Sequence, residues 1–159
     1  SLPSARTSSG RAQTYREASI PGERVLLDTH AFLWLMNGSP ELEHSSSLAH
    51  IETASENGAL LLCSISLWET AALARQGRLR PSLPLRDWIE QSLETPGLRM
   101  VEIDAAIATE AAALPGRFDG DGADRLIVAA ARRRHALLAT ADDTLKRYAA
   151  AGHVRILEV

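Results

Sequence analysis

At 159 residues, 45% hydrophobic and 23% charged, the chain has the length of one domain with a sizeable core and is too apolar to be disordered. No apolar run approaches the roughly 20 residues needed to cross a bilayer, and the lone Cys63 excludes an internal disulfide. A net charge of -3 argues against a protein that grips nucleic acid chiefly by bulk positive potential.

Residues 1–23 are rich in Ser, Arg, Gly and Pro without apolar periodicity, which predicts a flexible tail or an expression remnant; 24–159 then form one domain. The N-terminus has no signal pattern, so the expected location is the cytoplasm, with no membrane partner. Arg24 to Asp28 reads as a first strand, and the helix after it ends at Asn37-Gly38. Ser39-Pro40 opens a helical stretch that runs to Asn57-Gly58. Ala59 to Cys63 is the second strand, with Cys63 a small core residue. A helix follows from Ser64 to Gln76, capped by Ser64 or Ser66 and stopped by Gly77. Leu85 to Glu94 makes a short amphipathic helix, and Leu98 to Ile103 is the third strand. Asp104 caps an alanine-rich helix to Leu114, and Gly116 to Gly122 is a loop of glycines and acids before a helix from Ala123 to His135. Ala136 to Thr140 is the fourth strand, Asp142-Asp143 starts a helix to Gly152, and Val154 to Leu157 is the fifth strand. Strands alternating with helices at this spacing mean an α/β fold: an α/β/α sandwich around a mainly parallel sheet of about five strands.

Several acids break the apolar pattern where strands hand over to helices: Asp28, Glu69, Asp121, Asp124 and Asp142. In a parallel sheet all of them project from the carboxyl edge, where ligands of open α/β sheets bind. Taken alone, Asp28 is as readily a helix cap, and Glu69 a partly solvated helix glutamate. Gathered together they need a counter-charge, because like charges about 4 Å apart repel by roughly 1 kcal/mol in water and about 4 kcal/mol at an effective dielectric of 20. Helix N-termini offset only about 0.3 to 1 kcal/mol each. Oxygen-only ligands with room for water suit Mg2+ or Mn2+, and such ions stabilise in-line phosphoryl displacement.

Four blocks carry a resemblance: Leu26-Leu27-Asp28-Thr29-His30; Ser64-Ile65-Ser66-Leu67-Trp68-Glu69 with Gly77-Arg78-Leu79; Asp121-Gly122-Ala123-Asp124-Arg125-Leu126-Ile127-Val128-Ala129-Ala130; and Leu138-Ala139-Thr140-Ala141-Asp142. In this order they resemble the PIN domain family and, within it, the VapC-type toxin ribonucleases. The resemblance implies a PIN-like sandwich and a Mg2+- or Mn2+-dependent endoribonuclease. Its metal ligands and catalytic residues would be Asp28, Glu69, Asp124 and Asp142, with Thr140 and Thr29 hydrogen-bonding into the site. It also implies an RNA substrate, cleavage leaving a 5'-phosphate and a 3'-hydroxyl, a homodimer, and a cognate antitoxin in a toxin–antitoxin hetero-oligomer. Two departures concern substrate positioning: Gly122 stands where such toxins often carry Pro, and Arg117-Phe118-Asp119 occupies the place of a common His.

Other residues have competing readings. Arg125 could orient Asp124 or touch phosphate, or pair with Asp121. Arg132-Arg133-Arg134 is better read as complementing a helix dipole than as an RNA patch. Arg75, Arg78 and Arg80 are candidates for an RNA or antitoxin rim. His30 is expected to pack behind the strand, and Trp34, Trp68 and Trp88 to serve the core or a subunit interface and not to be base-stacking platforms. Two alternative functions are a non-catalytic PIN-like partner-binding module and a metal-dependent phosphatase with an aspartyl nucleophile. The phosphatase usually needs a second Asp where this chain has His30.

Overall fold

Three of the short apolar runs form strands that are buried along their whole length: β1 (Val25–Leu27), β2 (Leu60–Cys63) and β4 (Leu137–Thr140). Burial on both faces is what a central parallel strand requires, and it explains why these runs do not alternate with polar residues. In the computed structural model, which describes residues 23–43 and 45–159, β3 (Leu98–Val101) and β5 (Ile156–Glu158) complete a five-stranded sheet in the order β3-β2-β1-β4-β5. Every pairing is parallel. The expected tail, residues 1–23, lies outside the described residues except for Glu23.

Side chains alternate across the sheet. Val25, Leu27, Leu60 and Leu62 face a layer built from α1 (Thr29–Asn37), α2 (Pro40–Glu43), α3 (Leu48–Glu56) and α5 (Leu85–Ser92), centred on Phe32, Ile51 and Trp88. Leu26, Leu61 and Leu138 face the other layer, made by α6 (Ala105–Ala112), α7 (Gly122–Arg134) and α8 (Asp143–Ala150). The remaining helix, α4 (Ile65–Arg75), packs against both α1 and α7. Among the described residues no helix is long and apolar enough to cross a membrane.

The α/β/α sandwich and its parallel sheet agree with the expectation from sequence; several boundaries do not. The stretch from Pro40 to Asn57 is two helices, because Ser45-Ser46-Ser47 offers the backbone competing partners: Ser47 N donates to Ser45 Oγ at 3.0 Å, and the Ser47 hydroxyl donates to the carbonyl of Glu158. The third strand stops at Val101 and leaves Ile103 38% exposed. The fifth starts two residues later and ends one later, since its ladder starts where Leu138 N donates to the Arg155 carbonyl. Ser66 caps nothing, for its hydroxyl is fully buried and turned to Thr29. Cys63 is buried, and burial pushes its thiol up.

Strand order reverses between β1 and β4, which are neighbours although seven helices and two strands separate them in sequence among the described residues. A crevice opens at such a reversal, outside the carboxyl ends of the strands. There Asp28 directly follows β1 and β4 ends on Thr140.

Candidate active site

Asp28 leaves β1 with an extended backbone and becomes the N-cap of α1, so one of its oxygens, Oδ1, accepts from Ala31 N at 2.8 Å. The other, Oδ2, accepts from the Thr140 hydroxyl at 2.5 Å. Thr140 is fully buried, and its oxygen also accepts from Asp142 N at 3.0 Å, which ties the loop after β4 to the end of β1. Capping and edge placement, alternatives at the level of sequence, are thus both true of Asp28. A carboxylate offers about four lone-pair positions, so two remain for a ligand.

Glu69 arrives by a second relay. Its Oε1 accepts from the Thr29 hydroxyl, and Thr29 Oγ1 lies 2.9 Å from Ser66 Oγ. Since Thr29 has one proton and gives it to Glu69, Ser66 is the donor to Thr29. Ser66 and Glu69 are three residues apart on α4, one turn, and this is how a helix from the other side of β2 is fastened to the first residue of α1. Ser66 was not singled out in the sequence as a site residue; its three-residue spacing from Glu69 was the available signal.

Asp121 is the N-cap of α7 in a reciprocal capping box: its side chain accepts from Asp124 N at 2.8 Å, and Asp124 Oδ2 accepts from Asp121 N at 3.4 Å. Gly122, in place of Pro, begins α7 without disturbing that cap. The preceding loop presses close, since a Cβ on Gly120 would come 2.9 Å from that of Asp124 and 2.5 Å from the Phe118 ring. Asp142 caps α8 and accepts from Leu145 N at 3.0 Å. Three helix N-termini, those of α1, α7 and α8, therefore open toward the same edge, each with an Asp on it.

The electrostatics follow from this crowding. Burial raises the Asp28 carboxyl above its ordinary range against the Thr140 and Ala31 hydrogen bonds and His30, and Asp142 raises it further. Burial likewise raises Glu69; Asp121 and Asp28 add to the rise, and the Thr29 hydrogen bond and His30 oppose it. Asp124 is pushed up to about 7, by burial first, then by Asp121, with Asp142 and Glu69 adding. Each of these three acids is raised by at least one other of the five. Among the described residues none of the five makes an ion pair with Arg or Lys.

That donor set, carboxylate oxygens with no cation among them, fits a hard divalent ion. No three His, Cys, Asp or Glu side chains among the described residues close into a ready-made metal cage. Mg2+ commonly keeps several waters and takes only one or two carboxylates directly, so an open ring of acids remains compatible with it.

The other expected residues fall elsewhere. Arg125 does not pair with Asp121; it sits over the Phe118 ring at 5.6 Å and donates to the Ala111 carbonyl at 3.0 Å. Arg75, Arg78 and Arg80 are exposed and form no ion pair among the described residues. Arg132 and Arg133 are engaged by Glu110 at the far end of α7. His30 is exposed rather than packed behind the strand, because α1 turns its position outward. Trp88 is a core residue against Phe32 and Trp34 is half-buried, but Trp68 is 64% exposed and so is no core residue.

Residues 25–151 match the family described as PIN domain. Ribonuclease VapC22 of Mycobacterium tuberculosis is 39% identical over 124 residues, which are 78% of this chain and 91% of that protein. Two solved structures share the fold. VapBC2 from Rickettsia felis, bound to a DNA fragment from its promoter, has a TM-score of 0.61 at 18% identity and covers 84% of this chain and 97% of its own. DNA-bound VapBC from Salmonella typhimurium gives 0.59 at 16%, covering 86% and 98%.

Proposed function

This chain belongs to the PIN domain family, and from that premise we propose that it is a Mg2+- or Mn2+-dependent endoribonuclease acting in the cytoplasm as the toxin of a toxin–antitoxin pair. What supports the reading is that burial and neighbouring acids, Asp142 among them, raise the carboxyls of Asp28, Glu69 and Asp124 at the sheet edge, with no Arg or Lys paired to any of the four among the described residues. The ribonuclease relative at 39% identity supports RNA as the substrate.

Asp28, Glu69, Asp124 and Asp142 would hold the ion, which when bound supplies charge neutralisation at the phosphodiester and a stronger nucleophile from water. The chain's own groups hold those carboxylates in place. Thr140 fixes Asp28, the Ser66–Thr29 pair fixes Glu69, and Asp121 orients the first turn of α7 that carries Asp124. Preorganised side chains of this kind spare the site reorganisation during reaction. Arg75, Arg78 and Arg80 form a basic rim for RNA or for the tail of a cognate antitoxin, in a homodimer that assembles with that antitoxin. The VapBC complexes of the same fold motivate the partner.

The deciding experiment is cleavage of cellular RNA by the purified protein with Mn2+ or Mg2+, beside Asp28→Asn and Asp124→Asn. Cleavage by the wild type that stops in both variants supports the assignment; undiminished cleavage in the variants refutes it.

A further inference from the structure

Trp68 is the most exposed large apolar side chain among the described residues, at 64%, and it immediately precedes Glu69. It belongs to neither core cluster and has no ring partner or cation over its face among those residues. The turn around it is otherwise committed: Ser66 and Thr70 are fully buried, and Ile65 and Leu67 pack against opposite core layers. Leaving an indole in water on a well-packed helix forgoes the free energy that burial of a large apolar side chain gives.

Helix geometry gives Trp68 its neighbours. Positions 68, 72 and 75 share one face of α4 by the i, i+4, i+7 rule, so the indole stands in line with Ala72 and the exposed, unpaired guanidinium of Arg75. Glu69 lies one residue away, about 100° round the helix toward the acidic edge. A lone aromatic set among alanines and an arginine lacks the contiguous apolar area of a subunit interface. It has the composition of a nucleic-acid contact, a π-face beside a phosphate-binding cation.

We propose that the Trp68 indole is a stacking platform for a base of single-stranded RNA lying across the acidic edge, with Arg75 receiving the adjoining backbone. The proposal rests on the ribonuclease reading above and names a residue that reading does not use. Its physical motive is that several carboxylates repel a polyanion, so affinity beside them is best drawn from an uncharged contact. Stacking on an aromatic ring supplies that and is insensitive to salt in a way that phosphate contacts are not. A duplex, whose bases are already stacked on each other, has no free base face to offer.

The test is binding of a mixed-sequence single-stranded oligoribonucleotide and of its fully paired duplex to the full chain in EDTA, read by tryptophan emission and by anisotropy of labelled RNA. Metal-dependent cleavage by the wild type is measured alongside. The expected result is quenching by the single strand only, about ten-fold or greater loss of affinity in Trp68→Ala, and retention of affinity without the quench in Trp68→Phe. Equal affinity of wild type and Trp68→Ala, or loss of a solution dimer in Trp68→Ala with RNA affinity intact, overturns the stacking role while cleavage by the wild type leaves the nuclease standing. Absence of any metal-dependent cleavage by the wild type removes the premise and the proposal together.

Discussion

The Thr140 hydroxyl donates its only proton to Asp28 Oδ2 while its oxygen accepts from Asp142 N, so one fully buried side chain holds two of the acids at fixed places. β1 and β4 are adjacent strands, and this bond closes their carboxyl ends at the point where strand order reverses. Replacing Thr140 by Val keeps the shape and removes the donor. A hydrogen bond to a charged group contributes about 1.5 to 3 kcal/mol, so cleavage should fall roughly 10- to 100-fold. Thr140→Ser should recover most of the rate. Equal rates for all three in a single-turnover assay would show that Asp28 needs no such anchor.

A cluster of like charges placed for a ligand destabilises the protein that lacks the ligand. Asp124 is raised by burial and by Asp121, Asp142 and Glu69, and has no cationic partner among the described residues. In metal-free buffer at pH 8, Asp124→Asn should therefore melt at a higher temperature than the wild type, while losing cleavage. Adding Mn2+ should raise Tm in the wild type through mass action and much less in the variant. Differential scanning calorimetry at two Mn2+ concentrations checks both; an unchanged Mn2+ response in Asp124→Asn would count against this ligand.

Apolar runs and turn residues made the fold readable. Val25 to Leu27 and Leu60 to Cys63 could be little but buried strands, and Asp28, Asp104 and Asp142 stand at helix starts with the carboxylates that capping demands. The acidic edge was readable because a parallel sheet sends every β-to-α junction to one side. What the chain order hid were contacts between residues distant in sequence. Ser66 looked like a cap because caps are local, whereas its real partner, Thr29, is 37 positions away. Arg125 looked like a site residue because it follows Asp124, yet a helix rotates successive side chains by about 100°, and that turn takes it to Phe118. The exposure of Trp68 was equally hidden, since tryptophan composition alone favours burial.

Gly97 is a purely structural position that the same packing makes exacting. It has φ +78°, and a Cβ there would lie 1.7 Å from the Ser55 carbonyl oxygen, a backbone atom of α3 that cannot step aside cheaply. Ser55 Oγ also donates to the Pro96 carbonyl at 2.5 Å, fastening the turn before β3 to that helix. The left-handed backbone alone costs a residue with a Cβ about 1 to 2 kcal/mol, and the clash adds to it. Gly97→Ala should thus lower urea stability by at least ~2 kcal/mol, whereas Gly77→Ala, at φ +77° with open space around the added Cβ, should cost only the backbone part. Similar losses for both would mean that the Ser55 contact yields.

The pH dependence follows from the direction of the same shifts. The Asp124 carboxyl titrates at about 7 in the folded chain against 3.8 ordinarily, so the folded state holds this proton more tightly than the unfolded one. Its contribution to stability is complete below pH about 4 and is lost as the pH rises toward 7. Asp28 and Glu69, also raised by burial, act in the same direction. Metal-free protein should accordingly be more stable at pH 5 than at pH 8, and Asp124→Asn should flatten that slope. Activity should run the other way: a cation competes with the proton for Asp124, so at limiting Mn2+ cleavage should increase as pH rises through about 7. Raising the Mn2+ concentration should move that midpoint to lower pH, because the two ligands are linked. A midpoint that stays fixed at every Mn2+ concentration would separate the titrating group from the metal site, and Asp124 would then be a structural acid that shapes α7 and no more.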